Sequence, residues 1–78
     1  MKDIKIYSTP TCHFCKLAKE FMQAHGIKYT EYNVATDLEK RKEMVEKSGQ
    51  MGVPVIDIDG EVTVGFDEQE FAKAVGVN

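Results

Sequence analysis

No stretch of this 78-residue chain approaches the roughly 20 consecutive apolar residues that a membrane span needs, and the N-terminus lacks the long apolar segment of a signal peptide. The expected location is therefore the cytoplasm, with no membrane partner. A basic run is missing too: the net charge is -3, and the single cluster Lys40-Arg41-Lys42 is surrounded by Asp37, Glu39, Glu43 and Glu46. A nucleic-acid partner, whose phosphates call for clustered lysine and arginine, is not expected, and the cluster reads as a solvated helix face. Only two cysteines occur. In a reducing compartment a permanent disulfide is unusual, so the pair points to a transient, catalytic or metal-binding use. There is no internal repeat, linker or low-complexity segment, and the length leaves room for one domain, residues 1–78. With 42% hydrophobic and 29% charged residues, the composition is that of a chain that folds alone rather than of a disordered one.

What is present is organised around Tyr7-Ser8-Thr9-Pro10-Thr11-Cys12-His13-Phe14-Cys15-Lys16. This stretch follows an alternating strand pattern and runs into an amphipathic helix, which puts both cysteines at a strand-to-helix junction. Two intervening residues place Cys15 about one turn beyond Cys12, within disulfide reach. At a helix start the first N–H groups lack intrahelical partners and the macrodipole is positive, so a thiolate at Cys12 is favoured over a thiol. Lys16 one turn on, and Lys19 on a neighbouring face, add positive charge; a thiol so placed is expected at a pKa of roughly 3.5–7.5. Cys12 is thus the expected nucleophile and Cys15, one turn into the helix and more covered, the expected resolving thiol.

Taken in order, Lys2 to Tyr7 alternates as a strand, with Ile4 and Ile6 on one face and Lys5 and Tyr7 on the other. Phe14, Leu17, Ala18, Phe21 and Met22 recur at helical spacing and predict a buried stripe, Phe14 included; His25-Gly26 ends that helix. Ile27 to Val34 reads as a second strand. Thr36-Asp37-Leu38-Glu39 has the form of a capping box, which predicts a helix to Lys47 with a thin apolar face of Leu38, Met44 and Val45. Val53 to Ile58 reads as a strand, Asp59-Gly60 as a hairpin turn, and Glu61 to Val64 as the returning strand. Asp67 caps a last helix, with Phe66 and Phe71 at hydrophobic-staple spacing. The order β-α-β-α-β-β-α, with a parallel pair at the start and an antiparallel hairpin at the end, predicts an α/β fold with a mixed sheet and helices on both faces. A Cys-x-x-Cys on such a β-α-β unit reads as a thioredoxin-like redox motif.

Three segments in order, Tyr7 to Lys16, Ser48-Gly49-Gln50-Met51-Gly52-Val53-Pro54 and Val64-Gly65-Phe66-Asp67, resemble the glutaredoxin family over nearly the whole chain. Among its members, the chain is most similar to short bacterial glutaredoxin-like proteins with a final Gly-Phe-Asp. The resemblance implies a thioredoxin-like fold, a four-stranded mixed sheet flanked by three helices, with a cis bond between Val53 and Pro54 facing the cysteines. It implies a monomeric dithiol thiol–disulfide oxidoreductase with Cys12 and Cys15 catalytic, acting on protein disulfides or glutathionylated proteins. It also implies substrate or glutathione contacts at Thr11, His13, Phe14, Val53, Pro54, Gly65, Phe66 and Asp67. No bound cofactor is implied, and glutathione serves as reductant or co-substrate.

The chain departs from the family pattern at three positions. Thr9 stands where a basic residue is usual, Gly52 where a threonine is, and Val64 where a first glycine is. Loss of the cation at Thr9 weakens a grip on a glutathione carboxylate, because charge-assisted hydrogen bonds are the strong ones. Gly65-Phe66 also resembles the small redoxins that serve ribonucleotide reductase, which implies a flavoprotein, thioredoxin reductase, as the other possible electron source. His13 between the cysteines stabilises a Cys12 thiolate and so raises the reduction potential, toward the upper end of the glutaredoxin range of about -200 to -230 mV; with Lys16 it completes the pair expected to tune Cys12. Two other classes stay open: a metal module, as a glutathione-dependent iron–sulfur carrier or a zinc site using Cys12, His13, Cys15 and His25, and a redox-inert interaction domain. No dedicated metal ligand set is expected, since His13 follows Cys12 directly and His25 lies far along the same helix.

Overall fold

The computed structural model describes residues 3–76. Its elements are β1 (Ile4–Ser8), α1 (His13–Ala24), β2 (Thr30–Asn33), α2 (Leu38–Ser48), β3 (Val55–Ile58), β4 (Glu61–Val64) and α3 (Glu68–Val75). The four strands form one sheet in the order β2-β1-β3-β4. β1 is parallel to β2 and antiparallel to β3, and β3 is antiparallel to β4. This is the expected order and the expected mixed sheet of a thioredoxin-like α/β fold.

Alternation along the strands decides which helix covers which face. Ile4, Ile6, Ile56 and Ile58 point to one side and are buried with Ala18 and Met22 of α1 and Phe71 of α3. Tyr7 and Val55 point to the other and are buried with Val34 and with Met44 of α2. Successive residues of a strand face opposite sides, so two small cores share one sheet. Burying a side chain such as Ile6 or Ile56 contributes about 1.5–3 kcal/mol, and no other source of cohesion in so short a chain is comparable.

Several element boundaries differ from those the sequence predicts. β2 begins at Thr30 rather than Ile27, because the Ile27 N–H bonds back to Met22 O at 2.8 Å and wraps the end of α1. α2 is capped by Asp37, whose carboxylate accepts from the Lys40 N–H at 3.1 Å; the neighbouring Thr36 hydroxyl does not take the role. Leu38 leaves the apolar face of α2 and is 70% exposed. β3 begins at Val55, after Pro54, which lacks the N–H a ladder needs. Phe14, expected in the buried stripe, is 55% exposed. The part of the first strand predicted at Lys2 lies outside the described residues.

The hairpin and the last helix follow the sequence closely. Asp59 and Gly60 both take positive φ, 53° and 92°, which the two-residue turn between β3 and β4 requires. Asp67 Oδ1 accepts from the N–H groups of Gln69 at 3.0 Å and Glu70 at 3.2 Å, and Phe66 stacks on Phe71 with ring centroids 5.5 Å apart. Asp67→Ala is expected to lower stability by about 1 kcal/mol, a fall in Tm of roughly 4–8 °C. A thermal melt checks it, and an unchanged Tm would show that the staple alone holds the helix start.

Candidate active site

The register brings three loops to one end of the sheet. Tyr7 pairs with Val55 and Val55 with Val64. β1 therefore leaves the sheet, β3 enters it and β4 leaves it along a single row. Beyond that row lie the cysteine segment, the Val53-Pro54 bond and the Gly65-Phe66-Asp67 turn, and the N-termini of α1 and α3 both open there. The Gly65 N–H donates to Pro54 O at 2.8 Å and ties two of the loops together. Gly65 takes φ 79°, a conformation that costs a residue with a side chain and that lets the turn double back toward Pro54.

Cys12 is the N-cap of α1. Its Sγ accepts from the Cys15 N–H at 3.1 Å, its N–H donates to Thr9 O at 3.3 Å, and its carbonyl accepts from Lys16 N at 3.2 Å. Cys12 and Cys15 are joined as a disulfide with Cα atoms 5.2 Å apart. Cys15 is fully buried, whereas Cys12 is half-buried and reachable. The less buried cysteine is thus the one that sits at the positive end of a helix, where a backbone donor stabilises the thiolate released on reduction.

The flanking cations differ in availability. Lys16 is exposed, whereas Lys19 Nζ is held 2.8 Å from Glu31 Oε2. The Lys19 ammonium holds the Glu31 carboxyl below the usual carboxylate range, against a partial burial that opposes it, and the Ser8 hydroxyl adds a further bond. Lys19 is therefore engaged across the α1–β2 contact, and of the two lysines Lys16 is the exposed one. His13 is exposed and meets Phe14 edge-on at 5.5 Å between ring centroids. His25 stacks on Phe21 at 4.3 Å, at the far end of α1. Among the described residues no group of three or more histidine, cysteine or acidic side chains is placed to hold a metal.

The Val53–Pro54 peptide bond is cis, as the resemblance implies. Among the described residues the Val53 N–H and C=O take no backbone partner, while Ser48 Oγ and the Gln50 side chain brace the loop before it. Thr11, Gly52 and Asp67 are exposed around the same end; Val53, Gly65 and Phe66 are half-buried and Pro54 is buried. The expected site residues are thus gathered at one end of the sheet, by the ladder register and the Gly65–Pro54 bond.

A second polar cluster on the α2 face escaped the sequence reading. Lys47 Nζ donates to Asp57 Oδ2 at 2.7 Å and to the Tyr7 hydroxyl oxygen at 3.0 Å, and the Tyr7 hydroxyl donates to Glu43. Burial alone would raise the Asp57 carboxyl, but the Lys47 ammonium and the Gly60 N–H outweigh it and hold the group below its usual range. Hydrogen bonds to Asp57 and Tyr7 raise Lys47 in turn. Burial and the Glu43 acceptor raise the Tyr7 phenol. The signal was Asp57 itself, a carboxylate inside Val55-Ile56-Asp57-Ile58, since a charge in a buried strand needs a partner.

A sulfur at a helix N-terminus, a buried partner one turn on and a cis proline at the same end of the sheet define a thioredoxin-type dithiol oxidoreductase. A sequence model of the family described as glutaredoxin matches residues 4–63, and this chain belongs to the glutaredoxin family, whose members are thiol–disulfide oxidoreductases. It is 50% identical over 72 residues to the glutaredoxin-like 8.6 kDa protein of the rubredoxin operon of Clostridium pasteurianum, covering 92% of this chain and 96% of that one. It is 34% identical over 73 residues to the glutaredoxin-like protein NrdH of Lactococcus lactis subsp. cremoris, covering 90% and 96%. Among solved structures, a variant of the thioredoxin-like protein BC3987 superposes with a TM-score of 0.92 at 29% identity over the full length of both chains.

Proposed function

We propose that the chain reduces protein disulfides and glutathione mixed disulfides by dithiol exchange, with Cys12 as nucleophile and Cys15 as resolving thiol. The observation that carries this reading is the asymmetry of the pair: Cys12 is reachable and its sulfur accepts the Cys15 N–H at 3.1 Å, while Cys15 is fully buried. The Cys12 thiolate attacks one sulfur of the target disulfide. A mixed disulfide forms, and the displaced thiolate leaves and takes a proton. Cys15 then attacks Cys12 Sγ, the second target thiol departs, and the chain is left with the Cys12–Cys15 disulfide after passing two electrons to the target. Two glutathione molecules restore the dithiol and leave as glutathione disulfide.

Glutathione would lie across the cysteines and the Val53 backbone groups, which take no backbone partner among the described residues, with a carboxylate near the N-terminus of α3 at Asp67. Thr9 supplies no cation there, so the affinity is expected to be modest. A second reading, electron supply by a flavoprotein reductase, is favoured by the NrdH relative and by Gly65-Phe66. NADPH consumption with a small mixed disulfide separates them, run once with glutathione and glutathione reductase and once with thioredoxin reductase. Turnover with glutathione is the expected result. Turnover only with thioredoxin reductase would replace glutathione by the flavoprotein, and turnover with neither would contradict both routes.

A further inference from the structure

We propose that the groove between α1 and the start of α3 docks the polypeptide flanking a target disulfide, and selects protein disulfides whose flanks carry apolar and cationic side chains. The inference rests on the thiol–disulfide reading above and adds a substrate class to it. The groove has a volume of about 520 Å³ and an apolar floor of Phe14, Leu17, Phe21, Ala24 and Phe66. One end of it, Phe14, stands between the two cysteines in the chain, so the groove starts at the turn of α1 that carries the redox pair, although neither cysteine lines it. From Phe14 to Ala24 the floor follows α1 for about 15 Å at 1.5 Å per residue. That length matches about four or five residues of extended chain at roughly 3.3 Å each.

Charge decides which flank fits. Glu20 on α1 and Glu68 on α3 line the groove, are exposed and enter no ion pair among the described residues, while the one other polar side chain on its lining, His25, lies with its ring against Phe21, so the two carboxylates set the charge. The long stem of an arginine or lysine lies over the aromatic floor while its head meets a carboxylate. An acidic flank meets like charge instead. Glutathione carries carboxylates of its own and is too short to follow α1, so beyond Phe14 and Phe66 the groove adds nothing for it and separates protein targets from small ones.

The test compares kcat/KM on three substrates: a small dialkyl disulfide, a peptide disulfide with leucine and arginine on both sides of its cysteine, and one of equal length with serine and glutamate there. The natural chain is expected to prefer the leucine–arginine peptide by about tenfold. Glu20→Lys, at a solvent-facing helix position, and Ala24→Trp, which fills the far end of the groove, are each expected to cut that preference about threefold or more through KM. Turnover of the small disulfide stays unchanged in both and reports that each variant is folded. No preference in the natural chain, or a preference that survives both substitutions, overturns the groove as a docking site. Dimerisation lost on Ala24→Trp would assign the groove to a second copy and likewise overturn the proposal. Turnover of none of the three substrates would instead overturn the thiol–disulfide reading.

Discussion

Cys12→Ser is expected to eliminate disulfide turnover, a fall of at least about a thousandfold, because no other group at this end of the sheet supplies a nucleophilic sulfur that a substrate can reach. Cys15 cannot substitute: it is fully buried under the first turn of α1. Cys15→Ser has a different outcome. The mixed disulfide on Cys12 still forms, and an external thiol such as glutathione resolves it, so turnover of a glutathionylated substrate persists while reduction of a protein disulfide is lost. Steady-state rates of the two variants on both substrate types check this. Full activity in Cys12→Ser, or equal loss of both reactions in Cys15→Ser, would contradict the assigned roles.

The placement of the two sulfurs was legible before any coordinates, since a Cys-x-x-Cys that opens a helix sets its members apart by position alone. The same holds for the hairpin at Asp59-Gly60 and the capped start of α3, where local chemistry dictates local structure. Less legible were features set by tertiary neighbours. Phe14 has the spacing of a core residue but is exposed at the start of α1, so periodicity misassigns it. Lys19 reads as a cation available to Cys12 until Glu31, twelve residues on and on β2, engages it. A sequence pattern carries the period of an element but not the identity of what packs against it.

Lys47→Met is expected to cost about 2–4 kcal/mol, less than removal of a partner from a fully buried ion pair because Lys47 keeps partial contact with water. A domain of this length has a total stability of about 4–12 kcal/mol, so the loss is a large fraction. The cause is the Asp57 carboxylate, buried on β3 and left without its cation, together with a Tyr7 hydroxyl deprived of a donor. Urea unfolding should show a lower midpoint with an unchanged slope.

The pH dependence follows from the directions of the shifts. Asp57 is held below its usual range in the folded chain, so its contribution is present above the ordinary carboxylate value and is lost as pH falls through the folded value. Lys47 is raised, so its contribution is present below the ordinary lysine value and is lost only as pH rises through the folded one. The natural chain should therefore hold its stability at neutral pH and lose part of it below about pH 4. In Lys47→Met the Gly60 N–H still holds Asp57 down but the Lys47 ammonium no longer does, so burial weighs more, the carboxyl is less depressed than in the natural chain, and protonation on acidification relieves the unpaired charge. The gap between the two proteins is expected to narrow as pH falls from 7. A gap that stays constant would mean that the Lys47–Asp57 pair does not carry the effect.

The central claim is that Cys12 alone makes the first bond to the target, and trapping that bond tests it most directly. Reduced Cys15→Ser and reduced Cys12→Ser are each mixed with glutathione disulfide, quenched with acid and mapped by peptide mass spectrometry. The account predicts one glutathione on Cys12 in the first protein and none on Cys15 in the second over the same interval. Glutathione on Cys15 in Cys12→Ser, formed at a rate comparable to that on Cys12 in the other variant, would contradict it.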